Sequence, residues 1–282
     1  MKYILKAPLG AAVALVLVTP AMAQESSGSS EDGNWTGLYA GGSIGLGRAD
    51  DKKSERLIFD TDGDGDFDDA VTSGGSDIFT GYCSGRSRTG DAADGCIKDR
   101  TGTDWAGHVG YDMQFGNIVA GVVAEGGIAD ITDSATGFTS EPGDYTLTRR
   151  LKENAALRAR LGYSMGNTLF YLTGGGAYGK INNRFSSSNV ANAFADSGDS
   201  DAWGWTAGAG VEQKVADNFS VGLLYKYTSL DPDDYSVAVS QGTAPATGPF
   251  TNPATTSGQT LISRSNDDFN YHTAKITASY RF

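Results

Sequence analysis

Hydrophobic and polar residues alternate with period two through several stretches of the chain. Trp105, Gly107, Val109, Tyr111, Met113 and Phe115 share one side of such a stretch, with Asp104, His108, Asp112 and Gln114 on the other. Leu151, Ala155, Leu157, Ala159, Leu161 and Tyr163 alternate with Lys152, Asn154, Arg158, Arg160 and Ser164. Trp203, Trp205, Ala207, Ala209 and Val211 alternate with Thr206, Glu212 and Lys214. Phe219, Val221, Leu223, Tyr225 and Tyr227 alternate with Ser220, Lys226 and Thr228. Ala274, Ile276, Ala278, Tyr280 and Phe282 alternate with Lys275, Thr277, Ser279 and Arg281. Apolar residues at i, i+2 and i+4 predict strands and exclude amphipathic helices. Three glycine-richer segments, Trp35–Arg48, Ile118–Asp130 and Thr168–Ile181, bring the number of predicted strands to eight.

The connections alternate between short and long. Gly116-Asn117, Gly166-Asn167 and Ala216-Asp217-Asn218 suit tight hairpin turns that need positive φ. Long polar loops fall at 49–102, 131–149, 182–202 and 231–267. This layout predicts an all-β fold: an eight-stranded antiparallel transmembrane β-barrel with short periplasmic turns and long extracellular loops. No segment after residue 23 has 18 consecutive apolar residues, so any membrane crossing there is made by strands. A soluble secreted barrel is the alternative, because alternation alone does not say which face points inward. The aromatics favour the membrane. Trp35, Tyr39, Trp105, Phe115, Tyr163, Tyr178, Trp203, Phe219, Tyr227, Phe269, Tyr280 and Phe282 fall near predicted strand ends, as two interfacial girdles require.

The first residues change the compartment. Lys2 and Lys6, the apolar run Leu9–Val18 and the small residues around Met22 read as an export signal, 1–23, cleaved after Ala23. The apolar run is short for a membrane anchor, which is the other reading. Cleavage removes two lysines and no acid, so the formal charge moves from −12 to −14. Residues 24–34 then form a mobile Ser/Glu-rich N-terminus, and 35–282 the barrel. The acidic balance argues against nucleic acid as a partner.

Several segments resemble the outer-membrane β-barrel domain family of Gram-negative bacteria. This group includes porin-like, opacity-protein-like and surface-antigen members, with the transmembrane domain of outer-membrane protein A as a relative. The likeness is carried by Trp35-Thr36-Gly37-Leu38-Tyr39-Ala40-Gly41-Gly42 and by Phe115-Gly116-Asn117-Ile118-Val119-Ala120-Gly121, with Glu125 shortly after. Leu157-Arg158-Ala159-Arg160-Leu161-Gly162-Tyr163 and Leu169-Phe170-Tyr171-Leu172-Thr173-Gly174-Gly175 carry it further. The resemblance implies that Tyr280 and Phe282, in the terminal Tyr280-Arg281-Phe282, form the signal read by the barrel-assembly machinery. It also implies a place in the outer membrane, lipid and lipopolysaccharide as neighbours, and a role in envelope integrity or external contacts. The long first loop departs from typical members, and no peptidoglycan-binding domain is expected after Phe282.

An eight-stranded barrel has a lumen just wide enough for side chains to fill. Glu125, Arg158, Arg160, Glu212, Lys226, Lys275 and Arg281 are therefore expected to pair inside it, Glu125 with Arg158 or Arg160 and Glu212 with Lys226. The network is either a static plug or a narrow, gated path for small solutes. A lipid-modifying enzyme is a third reading. It would need His108 or His272 as base, and neither carries a recognisable nucleophile motif.

The first loop holds the most specific motif. Asp60-Thr61-Asp62-Gly63-Asp64-Gly65 matches the start of an EF-hand-type calcium loop, with Asp66 and Asp68 at later ligand positions. Val71 stands where an EF-hand has its bidentate Glu. The expectation is a structural Ca²⁺ loop without the full hand, and a solvated acidic run is the alternative. Residues 49–103 carry 13 acidic and 7 basic residues, a net of −6, which suits divalent cations. Cys83 and Cys96 lie in the same loop. In an oxidising compartment they are expected to form a disulfide, with two free thiols as the alternative. Gly242–Gly258, rich in Thr, Pro, Ala and Gly, is expected to be a flexible exposed tip.

Overall fold

The computed structural model describes residues 33–50, 55–140 and 143–282. The expected export signal and most of the mobile N-terminus, residues 24–32, lie outside the described residues. Eight long strands form the molecule's frame: β1 Gly37–Ala49, β2 Gly102–Phe115, β3 Ile118–Thr139, β4 Asp144–Met165, β5 Thr168–Ser187, β6 Ser200–Ala216, β7 Phe219–Pro232 and β8 Phe269–Arg281. Each pairs antiparallel with the next, and β1 also pairs with β8, so the ring closes. At Gly42 the ring is continuous across β1, with Ala278 on one side and Gly107 on the other. Gly116 and Gly166 adopt φ +61° and +63° in the tight turns, a backbone that side-chain-bearing residues rarely take.

Burial along the strands answers the question that alternation leaves open. Trp105, Val109, Tyr111, Val122, Leu157, Leu161, Leu172, Leu223 and Ile276 face outward and are exposed, while the intervening charged residues are buried. The outward apolar belt ends at Ile128 on β3 and at Leu157 on β4. An apolar exterior around a charged interior is the arrangement of a barrel in lipid.

Three strands continue well past the belt. β3 and β4 each have 22 residues, so most of 131–149 is strand and not loop. β5 likewise runs to Ser187, into the segment expected to be loop. The reason is visible in the burial: Asp133–Phe138 is buried at every position. A strand covered on both faces loses its period-two signature. A β-bulge between Leu151 and Glu153 then reverses the faces of β4. Leu151, read from sequence as belonging with Leu157, is fully buried inside the ring, whereas Leu157 is exposed.

The external loops are folded. Leu57–Asp60, Thr260–Arg264, Val237–Ser240 and Ala193–Asp196 form a second, four-stranded antiparallel sheet in that spatial order. Phe79–Ser84 adds to the outer end of β3. Between these elements and the outer ends of β3 and β4 lies an apolar core that includes Leu57, Phe59, Phe79, Tyr145, Leu147, Val237, Val239 and Ile262. Phe250 belongs to this core, and Thr251 is also buried. The middle of Gly242–Gly258 is therefore anchored and not a free tip. The single aromatic in that segment supplies the apolar area that ties it down.

Candidate functional site: a layered lumen beneath an external cap

The inside of the ring is filled in layers, from the tight-turn end outward. Trp35 closes that end. It is fully buried with Val119 and Leu169, and Tyr171 packs against them. Its indole N–H donates to Gly166 O at 3.1 Å, and its backbone N–H to Gln114 Oε1 at 2.7 Å. Arg281 Nη1 donates to the carbonyls of Trp35 and, at 3.1 Å, Gly37. The aromatic signal at this end thus splits. Trp35 and Tyr39 face the lumen and join no girdle, and Phe269 is also fully buried, near the other end. Trp105, Phe115, Tyr163, Trp203, Phe219, Tyr280 and Phe282 are exposed on the outer face, and Tyr178 and Tyr227 are half-buried.

Above Trp35 lies the charged layer, contributed by six strands. Glu125 on β3 accepts from Arg158 on β4 at 3.1 Å, from Lys275 on β8 at 3.2 Å, and from Lys226 on β7. Lys275 also reaches Asp104 on β2 at 2.8 Å. Arg160 on β4 donates to Glu212 on β6 at 2.5 Å and stands 3.6 Å from Asp112 on β2. Arg281 on β8 holds Asp112 at 3.0 Å. Arg160 is stacked on Tyr171 at 3.9 Å and lies 5.6 Å from the Tyr39 ring. All seven charges named from the sequence therefore meet in one buried layer, with a changed pairing. Glu212 takes Arg160 and Ser220, and Lys226 takes Glu125. Partners across a narrow ring are set by strand stagger, which strand order alone does not give. Asp104 and Asp112 complete the layer. Their polar-face positions on β2 were the signal that could have identified them.

The next layer is apolar: Ala129, Ile131, Leu151, Ile181, Leu230, Phe269 and Tyr271 fill the lumen's outer part. Beyond it sits a second buried ion cluster, outside the belt. Arg264 donates to Glu55 at 2.5 Å and to Asp133 at 2.8 Å. Arg149 donates to Asp133 at 2.8 Å and to the carbonyls of Asn266, Asp267 and Asp268 at 3.2, 2.7 and 3.1 Å. These bonds fasten the second sheet to β3 and β4. Burial pushes the Asp133 carboxyl up, but Arg264 and Arg149 outweigh it and hold the pKa below the ordinary value. At Glu55 burial wins over the same two arginines, and the pKa rises. Nothing in the sequence pattern marks Glu55 or Arg264, which are distant in the chain and lie outside the eight predicted strands.

In the first external loop, oxygens of Asp60, Asp62 and Asp64 lie within 4.8 Å of one another. Asp60 accepts from the backbone N–H of Gly63 at 2.7 Å and of Gly65 at 3.2 Å, which curls the turn. Asp66 and Asp68 stay outside this cluster. The fourth acid close to the turn is instead Asp69, which accepts from Thr61 N at 2.7 Å and Thr61 Oγ1 at 2.8 Å. Those bonds hold its pKa below the ordinary value. Cys83 and Cys96 are disulfide-bonded, with Cα atoms 6.1 Å apart.

Comparison with known proteins identifies the family. The profile of the outer membrane protein beta-barrel domain matches residues 10–282. The chain belongs to this family. As in the family at large, its place is the cell outer membrane. The 25 kDa outer-membrane immunogenic protein of Brucella melitensis is 29% identical over 165 residues, 57% of this chain and 66% of that protein. The 22 kDa outer membrane protein of Rhizobium leguminosarum bv. viciae is 32% identical over 142 residues, 50% of this chain and 59% of its own length. The chain thus spans somewhat less than two thirds of these relatives. Among solved structures, the outer membrane protein OprG from Pseudomonas aeruginosa aligns with a TM-score of 0.47 at 10% identity, covering 88% of this chain and 97% of its own. The Escherichia coli outer membrane protease OmpT aligns at 0.41 and 10%, covering 92% and 99%.

Proposed function

We propose that this family member is a non-enzymatic surface protein: a closed barrel that anchors a folded external cap, supporting envelope integrity or contacts with the outside. The observation that carries the reading is the filled lumen. Trp35, the charged layer and the apolar layer succeed one another along it, and the cavity within the charged layer is about 30 Å³. That is room for one or two waters. The apolar belt meets outer-membrane lipid, and lipopolysaccharide is the neighbour of the acidic outer loops. Planar-bilayer recordings of the refolded, verified-inserted protein test the reading, with and without Ca²⁺. A silent bilayer is the expected result. Reproducible conductance steps altered by Glu125→Gln would make it a small-solute pore instead.

Absence of catalysis is part of the same reading. His108 Nε2 lies 2.9 Å from Ser279 Oγ, a nucleophile-and-base contact in form. Both line the 30 Å³ cavity, which has no room for a lipid or a peptide. His272 instead meets Tyr225 Oη at 2.6 Å.

We further propose that the acidic turn takes one Ca²⁺ through Asp60, Asp62 and Asp64. Three convergent carboxylates suit a hard cation. Calorimetry should record binding heat that Asp62→Ala abolishes, and unchanged heat in the variant would reject these ligands.

A further inference from the structure

The charged layer divides into two groups by its contacts. One contains Asp112, Glu212, Arg160 and Arg281, two acids and two cations. The other contains Glu125 and Asp104 with Arg158, Lys226 and Lys275, two acids against three cations. All five side chains of the second group are at least nine-tenths buried. A guanidinium is charged throughout the ordinary pH range. An uncompensated charge in a lumen surrounded by lipid is strongly unfavourable.

Arg158 is short of partners at two of its nitrogens, where Arg160 is short at one. Its Nη2 donates to Glu125 Oε2, while Nε and Nη1 have no hydrogen-bond acceptor. The other oxygen of Glu125, Oε1, already accepts from both lysines. Arg158 also lines the lumen cavity, together with the hydroxyl residues Thr277 and Ser279 and the acids Glu125 and Glu212, each of which is already paired with a cation. The cavity, the residue with spare N–H donors and the surplus charge therefore coincide.

We propose that this cavity is a binding site for one small monovalent anion of chloride size, held by Arg158 Nε and Nη1. Water would satisfy the donors but leave the charge. A halide does both and fits about 30 Å³. Oxyanions of the size of phosphate or sulfate are too large. The anion is a structural part of the plug: it lets three cations share Glu125 and Asp104 without repulsion.

The test uses the full mature chain refolded in detergent, with unfolding followed by loss of the compact form's gel mobility. Sodium chloride is compared with sodium gluconate at equal ionic strength. Above the site's dissociation constant, each tenfold rise in chloride should raise the unfolding midpoint by roughly 3 to 5 °C. Gluconate should not. Arg158→Gln removes the surplus charge and should abolish the difference. Lys226→Met removes one charge from the same group and serves if the first variant does not fold. In crystals grown from bromide, an anomalous peak beside Arg158 is expected. Equal midpoints in chloride and gluconate, with no bromide in the cavity, would overturn the proposal and point to an uncharged lysine as the source of neutrality.

Discussion

The belt and the cap are built on opposite plans from the same strands. Below Ile128 on β3, apolar side chains face outward and charged ones inward; above Asp133, the apolar side chains of the same ribbon face a dry core. On β3 the alternation gives way to continuous burial over Asp133–Phe138, because its surroundings change there. Lipid accepts apolar residues that water would drive inside, so only the belt can turn its charges to the centre. The bulge between Leu151 and Glu153 is the joint. By reversing the faces of β4 it brings Leu151 to the lumen and Arg149 to the ion cluster beneath the second sheet.

The largest expected effect breaks the belt's interior. Glu125→Ala leaves Arg158, Lys226 and Lys275 facing one another without their shared acceptor. Removing one partner of a buried ion network costs about 3–5 kcal/mol. Urea titration of the refolded protein should show a lowered midpoint for the whole barrel, and a wild-type midpoint would mean that the pairs contribute little. Next comes the belt's outer face. Leu172 is 65% exposed there, and Leu172→Arg should cost up to about 2–4 kcal/mol in lipid bilayers. If equilibrium folding into vesicles were unaffected, the outward face would not be the lipid face.

Acid should then separate the two regions. Asp133 has a lowered pKa, so its stabilising contribution is complete above the unfolded carboxylate range, near pH 3.9, and is lost as pH falls through its lower folded value. Glu55 has a raised pKa, so its ionised form is the costly one, and protonation relieves that cost as pH falls. The cap should therefore resist pepsin unchanged between about pH 5 and 4 and open only below that window. Opening above pH 5 would contradict this assignment. The smallest effect is the control for the second variant. Val190 is 92% exposed outside the belt, and Val190→Arg should change stability by no more than about 0.5 kcal/mol. A cost like that of Leu172→Arg would extend the lipid zone into the cap.

Local pattern alone determined a good deal of this protein. Period-two alternation marked five of the ring strands and glycine-richer segments the other three, and the aromatics near strand ends then turned the seven charges inward, because each strand of the belt has one face in lipid and one in the lumen. The Gly-Asn turns and the two cysteines were also legible, since turns and a cross-link within one loop depend on residues close in sequence. The tertiary structure decided the rest. It fixed that Glu212 takes Arg160 rather than Lys226, and that Trp35 and Tyr39 plug the lumen instead of ringing the membrane. It also folded the long loops into a sheet with its own core and joined Glu55 to Arg264 across the chain. Those features depend on strand stagger, on one bulge and on burial from both sides. The bulge reverses the alternation through which a sequence reports its faces, two-sided burial erases it, and stagger leaves no mark on it.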